Sequence, residues 1–360
     1  MKITKPTFVV DKKKVFRNIR RIKEKLAPGT GKEAIRFRPH FKTHQSEEVG
    51  QWFRQLGVTG ITVSSLEMAA YFARRGWRDI TVAVIVNPCE IETINQLMEK
   101  GELKLNLLVD SSEVIQLLDR QLQQNLDCWL KIDTGYHRTG IPFENRELLL
   151  KTASMITESS KLNLKGVLTH AGHSYDANSL DEIKQLYQDT VSKLQYIRDF
   201  LMQAGFPGLE ISYGDTPTIT AMEKFDGIDE IRPGNFVYYD VMQLELGVCS
   251  EDDIAAAAMC PVIGRYPERN EVVVYGGAVH LSKEKGKNAQ GQSHYGLVAP
   301  PNESFQQWGS SLKETFVRSL SQEHGIIKTT AAQIEHIKIG DILAILPIHS
   351  CLTSNLLRTR

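Results

Sequence analysis

AIRFRPHFKTHQ, residues 34–45, opens the series of short β-branched runs that decides the fold. It reads as a strand ending near Lys42, with His40 two positions before that lysine and His44 two positions after. Strand side chains alternate faces, so the three share one side if the extension continues that far. Seven further runs follow: GITVSS (60–65), DITVAVIV (79–86), LKLNLLVD (103–110), CWLKIDT (128–134), LKGVLTH (164–170), LEISYG (209–214) and IDEIRPGNFVYYD (228–240). Most intervening segments read as amphipathic helices, among them SSLEMAAYFARRG (64–76) and SLDEIKQLYQDTVSKLQYIRDFLMQAG (179–205), the second ending on a glycine suited to a helix stop. Eight such units predict an α/β fold built on a parallel (β/α)8 barrel, with an open doubly wound sheet as the alternative that gives much the same pattern. The short spacing between the last two runs predicts an irregularity there.

After about residue 245 the texture changes. AAAAMCPVIGRYPERNEVVVYGGAVHLSK, TAAQIEHIKIGDILAILPIHSC and LLRTR are strand-like, punctuated by Gly, Pro and Asn. The prediction is a barrel over 15–245 and a mostly β domain over 246–360 together with 1–14. Residues 283–310, polar and rich in Gly, Asn and Gln, read as a long loop.

The 360 residues carry 43 basic and 43 acidic side chains, leaving no net charge to attract nucleic acid or an anionic membrane. The expected partner is a small molecule or a second copy of the chain. Five scattered cysteines argue against a disulfide framework and for a reducing compartment. MKITKPTFVV has too short an apolar run for a secretory signal, and no stretch reaches membrane-span length, so a cytoplasmic location is expected.

In a barrel, reacting groups gather at the C-terminal ends of the strands. Lys42, DTGYHRTG (133–140), THAGHSY (169–175) and YGDTPT (213–218) fall there. Lys42 on spacing alone is a solvated strand-end lysine; inside a barrel mouth, desolvation would favour the neutral amine that attacks an aldehyde. Arg138 is an exposed arginine after an Asp-capped turn, or a donor to an anionic cofactor oxygen. His170 and His173 read equally as packed histidines. GDTPT and the Gly234–Asn235 backbone have the composition of a turn or of a phosphate cradle. His349 and Cys351 stand at alternate positions of PIHSC, facing one way if extended. Two donors fall short of the four a structural zinc needs, which leaves a catalytic zinc with open positions or a hydrogen-bonded His beside a buried Cys.

Together these stretches resemble the fold-type III pyridoxal-phosphate enzymes, in particular the D-serine dehydratase and D-threonine aldolase group related to alanine racemase. The matching segments are RPHFKTH, KIDTGYHRTG, THAGH, IRPGNFVYYD, GGAVHLSK, EHG and HSCLTSNL, in consistent order from residue 38 to 356. The resemblance implies that Lys42 is the Schiff-base lysine, that Arg138 contacts the phenolic oxygen of pyridoxal 5'-phosphate and that His170 packs on its ring. It implies that Gly214, Asp215, Thr216, Gly234 and Asn235 hold the phosphate and that Arg232 faces the pyridine nitrogen. His349 and Cys351 match the zinc-binding pair of the dehydratases, where the aldolases usually carry Asp at the second position. The implied activity is that of a lyase dehydrating a D-3-hydroxy amino acid, such as D-serine, to a keto acid and ammonia. Retro-aldol cleavage to glycine and an aldehyde is the alternative; a racemase or a non-catalytic pyridoxal-phosphate protein is a more distant one. Relatives imply a homodimer.

Overall fold

The structure is a computed structural model that describes residues 2–27, 34–288 and 290–358. It has two compact units, Arg21–Gly234 and Met1–Arg20 with Asn235–Arg360. In the first, eight parallel strands among the described residues form the barrel: β1 (Arg36–Phe37), β2 (Gly60–Val63), β3 (Asp79–Ile85), β4 (Lys104–Val109), β5 (Leu126–Asp133), β6 (Leu162–His170), β7 (Glu210–Gly214) and β8 (Glu230–Ile231). The hydrogen-bonded order is β1-β8-β7-β6-β5-β4-β3-β2. A parallel bridge between His40 and Thr62 nearly closes the ring, through Phe41 N to Thr62 O (2.8 Å) and Thr62 N to Pro39 O (2.9 Å).

The first strand is shorter than its sequence suggests. Pro39 has no N–H for a ladder, and Phe41–His44 forms a turn instead of continuing the extension. His40, Lys42 and His44 therefore do not line one face. His44 turns into the wall, buried with Phe41 at 4.4 Å and Phe53 at 5.7 Å between ring centroids, while Lys42 is exposed.

Strands covered on both faces read as continuous apolar runs, as Gly60–Val63 does, all four residues buried. The helices that cover them start on capping side chains: Ser46, Ser65, Ser111, Asn145 and Ser179 accept from the backbone N–H of Val49, Met68, Val114, Leu148 and Glu182. The longest helix, Leu180–Gln203, stops before Gly205, which has φ +101°. As expected, the end of the barrel is irregular: only the five-residue helix Pro217–Ala221 lies between β7 and the two-residue β8.

The second unit is an antiparallel barrel. Strands β9 (Ala256–Tyr266), β10 (Glu271–Tyr275), β11 (Gly296–Ala299), β12 (Phe316–Leu320), β13 (His324–Lys328) and β14 (Ile342–Pro347) run in the order β9-β10-β13-β12-β11-β14, and β14 pairs back onto β9. The strand Thr7–Val10 adds to the outside of β9. Alternate residues Ala258, Cys260 and Val262, Val272 and Val274, and Leu343 and Ile345 fill its core, the period-two signature of a sheet with one dry face.

Two expectations fail here. The 283–310 stretch is not one loop, because Gly296–Ala299 belongs to the barrel and Gly286–Lys287 pairs with Ser293–His294. The C-terminal segment is not a strand: Ser350–Leu357 is helical, since extension stops at Pro347 and a run of Ser, Cys, Leu, Thr and Asn fits a helix packed by tertiary contacts. No helix among the described residues is long and apolar enough to cross a membrane.

Candidate active site

Strand polarity carries the first group of candidates to one rim of the parallel barrel. Lys42 lies in the turn after β1, its backbone N–H 3.4 Å from His40 Nδ1. His170 ends β6 and its Nδ1 lies 2.8 Å from the Gly214 carbonyl oxygen, so Nδ1 carries the proton and Nε2 is left as an acceptor. Burial pushes His40 well below the usual histidine range, and the charges of Lys42 and Arg232 push the same way. Burial, then Lys42 and Arg138, do this to His170. Both imidazoles are neutral in the company of cations.

Arg138 is exposed with its guanidinium carbon 5.0 Å from the centre of the Tyr136 ring. Tyr136 meets His170 edge-on at 5.9 Å and stacks on His173 at 6.2 Å. Gly172 permits this approach, for a Cβ there would stand 2.3 Å from the Tyr136 ring.

The second cluster is the loop after β7. Thr216 N donates to Tyr175 Oη (3.4 Å), and Gly234 N donates to Thr216 Oγ1 (3.3 Å), tying together two of the segments read as a phosphate cradle. The Asp215 carboxylate accepts from Thr218 N (2.8 Å), Thr218 Oγ1 (2.8 and 2.7 Å) and Ser174 Oγ (3.2 Å), which leaves its backbone as the part that could meet a ligand. Burial raises the carboxyl to about 6 against those hydrogen bonds. Its side chain is committed to shaping the loop.

Arg232 is held from behind. Nε donates to Ser212 Oγ (2.7 Å), and Nη2 donates to the Thr169 carbonyl. Burial lowers it to about 10, which still leaves it cationic at neutral pH. Ser212 Oγ donates to Glu230 Oε1 (2.7 Å), Arg38 Nε to Glu230 Oε2 (2.7 Å), and both Arg38 Nη groups to Asp79 (2.8 Å each). Sequence reading missed this interior chain, and it missed Lys131, 5% exposed and lowered to about 7 by burial, Arg232 and Arg138. The signal was present: Arg36 and Arg38, or Glu230 and Arg232, are charges at strand period two where both faces of the strand are covered. Tyr136 and Tyr175 carried no such signal.

The donor set at this rim is rich in cations and neutral imidazoles, with backbone and hydroxyl groups in the loop. Those groups fit an anionic ligand that carries a phosphate and a planar ring.

The remaining candidates lie in the other unit. His349 is the N-cap residue of Ser350–Leu357, with φ −130° and ψ 98°, and Cys351 sits in the first helical turn. The pair is brought together by a helix start, not by alternation in a strand. Burial lowers His349, but its hydrogen bond to Cys351 and the charges of Cys351, Asp240 and Glu284 outweigh this and lift it to about 9. Asn235, read as part of the phosphate cradle, directs its side chain to Asp240, Ser350 and Cys351. Among the described residues no group of three or more His, Cys, Asp or Glu is arranged to hold a metal. An imidazole with a thiol is a two-donor set that suits zinc when water and substrate complete the shell.

Comparison with known proteins adds the following. Residues 10–241 match the alanine racemase N-terminal domain family and residues 255–359 a serine dehydratase domain. The chain is 31% identical over 357 residues to D-threo-3-hydroxyaspartate dehydratase of Delftia sp. (strain HT23), covering 97% of this chain and 91% of that one. It is 28% identical over 350 residues to D-serine dehydratase of Dictyostelium discoideum, covering 89% and 84%. The solved Delftia structure superposes with a TM-score of 0.89 at 30% identity, covering 98% of this chain and 93% of that one. A cysteine-to-alanine mutant of that enzyme is known in a metal-free form. D-threonine aldolase of Filomicrobium marinum, at 18% identity and a TM-score of 0.80 over 98% of this chain and 89% of that one, shares the fold.

Proposed function

The chain belongs to the alanine racemase N-terminal domain family and carries a serine dehydratase domain after it, and from that premise we propose that it is a pyridoxal-phosphate-dependent lyase that dehydrates a D-3-hydroxy amino acid. The observation that carries the reading is the full-length similarity to a D-threo-3-hydroxyaspartate dehydratase, reinforced by similarity to a D-serine dehydratase. Cys351, rather than a carboxylate, at the second donor position agrees with it.

Pyridoxal phosphate, when bound, supplies the electron sink that makes the α-proton removable. Lys42 would anchor the cofactor, and its Nζ would be the base for the substrate's α-proton. Arg138 holds an anionic ring oxygen. His170, neutral and fixed by the Gly214 carbonyl, offers a flat, uncharged face for the ring. Arg232, still cationic, presents a charge to the ring nitrogen that opposes its protonation. The loop Gly214–Thr216 and Gly234 hold the phosphate. Hydroxide is a poor leaving group, and a zinc ion on His349 and Cys351 would supply the positive charge it needs. One water is lost in the elimination and one is taken up when the released enamine hydrolyses, so the net change turns the amino acid into a keto acid and ammonia. The active species in this proposal is a homodimer, to be checked by sedimentation velocity.

The test is product identification from purified protein given D-serine, D-threo-3-hydroxyaspartate, D-threonine and their L-isomers. A keto acid with equimolar ammonia from the D-isomers is expected. Glycine and an aldehyde, with no keto acid from any of them, would overturn dehydration in favour of retro-aldol cleavage.

A further inference from the structure

Asn235 is 4% exposed, and its amide is the meeting point of three segments of one unit. Nδ2 lies 2.5 Å from Asp240 Oδ2, 3.2 Å from Ser350 Oγ and 3.6 Å from Cys351 Sγ. The orientation of the amide is fixed by chemistry, because a carboxylate oxygen accepts and only the nitrogen end can donate to it. One hydrogen goes to Asp240, and the other is presented to Ser350 Oγ and Cys351 Sγ.

Asp240 is itself immobilised. Its Oδ2 also accepts from Ser350 N (2.9 Å) and Ser350 Oγ (3.3 Å), and its Oδ1 accepts from Gln243 N (3.1 Å) at the start of the helix Val241–Glu245. Asn235 Oδ1 is buried and has no hydrogen-bond partner among the described residues. The amide is therefore held by its donor end alone, the end that meets the sulfur.

We infer that Asn235 is a positioning residue for the sulfur ligand: its side-chain amide, aimed by Asp240, donates a hydrogen bond to Cys351 Sγ and so sets the direction and donor strength of that sulfur toward a bound divalent metal. This deepens the proposed function and rests on its assignment of His349 and Cys351 as metal ligands. Partners of this kind, outside the metal's own shell, typically change affinity by about 10- to 100-fold when removed. A hydrogen bond also lowers the energy of the sulfur lone pair, so its loss should move sulfur-to-metal charge transfer to longer wavelength.

The experiment titrates cobalt(II) into the full-length chain in competition with a chromophoric chelator, following the thiolate-to-cobalt band and using no activity readout. The wild type should show the band and Cys351→Ala should lack it. Asn235→Ala should bind cobalt about tenfold more weakly with its band displaced to longer wavelength. Asn235→Ser keeps a hydroxyl for Asp240 on a shorter stem; it should behave like the alanine variant and carries the test if that variant does not fold. A wild-type titration without the band, or a band that survives Cys351→Ala, removes the ligand assignment and the inference with it. A cysteine-dependent band that is unchanged in wavelength and affinity in the Asn235 variants overturns the inference alone.

Discussion

The rim of the parallel barrel and the start of the last helix use the same residue type in opposite ways. At the rim, His40 and His170 are neutral because burial and neighbouring cations disfavour a further charge. At the helix start, His349 is driven upward because a thiol and the carboxylates Asp240 and Glu284 stand near it. One region has surplus positive charge and suits an anion; the other has soft, electron-rich donors backed by carboxylates and suits a cation. The environment of each histidine, and not its identity, distinguishes a rim whose charge would suit an anionic cofactor from a donor pair that would suit a cation.

The strongest way to break this contrast is to remove one side and look for damage on the other. Lys42→Ala should lower turnover by roughly 10⁴-fold, the upper end for loss of an acid–base group, with metal content unchanged. Borohydride reduction and peptide mapping should place the covalent link on Lys42 in the wild type. A link on another lysine would sink the assignment. Next in size, Cys351→Ala or chelation should cost about 10³-fold in turnover, equivalent to several kcal/mol of Lewis-acid stabilisation, while the visible absorption of the bound cofactor persists. Full turnover in protein shown by elemental analysis to hold no metal would end the metal proposal.

A third experiment sharpens the distinction within RPHFKTH itself. Burial lowers His44 from 6.5 to about 3, and its Nδ1 accepts a hydrogen bond from Ser46 N (3.1 Å), which also favours the neutral ring. As pH falls, the unfolded chain takes up this proton first, so the stability His44 supports is complete above about pH 6.5 and is lost between there and about pH 3. Denaturant melts should show the wild type losing about 3 kcal/mol more between pH 7 and pH 4 than His44→Asn, which keeps an acceptor but does not titrate. Parallel curves for the two proteins would make His44 no different from a surface histidine. The smallest expected effect is that of Tyr175→Phe, which removes one neutral hydrogen bond at the Thr216 amide and should weaken cofactor binding by about 3- to 10-fold, read by equilibrium dialysis.

Much of the architecture was legible because its cause is local. Alternating runs of apolar strand and capped helix leave few ways to bury both faces of a parallel sheet, and the order of RPHFKTH, DTGYHRTG, THAGH and GDTPT along those runs places Lys42, Arg138, His170 and the Gly214 loop at strand ends. What misled were segments where local pattern and global packing part. Pro39 cut the first strand short, which turned His44 inward and left Lys42 outside. Ser350–Leu357, weak in any local preference, became a helix.

By itself the sequence determined which residues are available and at which end of each strand they fall, since chain direction and side-chain alternation follow from backbone geometry alone. Only the tertiary structure decided what those residues do for one another. Asp215 faces Thr218 and Ser174, Arg232 leans on Ser212 and Glu230, and Asn235 reaches Cys351 across 116 positions of chain. Such pairings depend on desolvation and on distances of about 3 Å, which arise only when remote segments are packed into one low-dielectric interior.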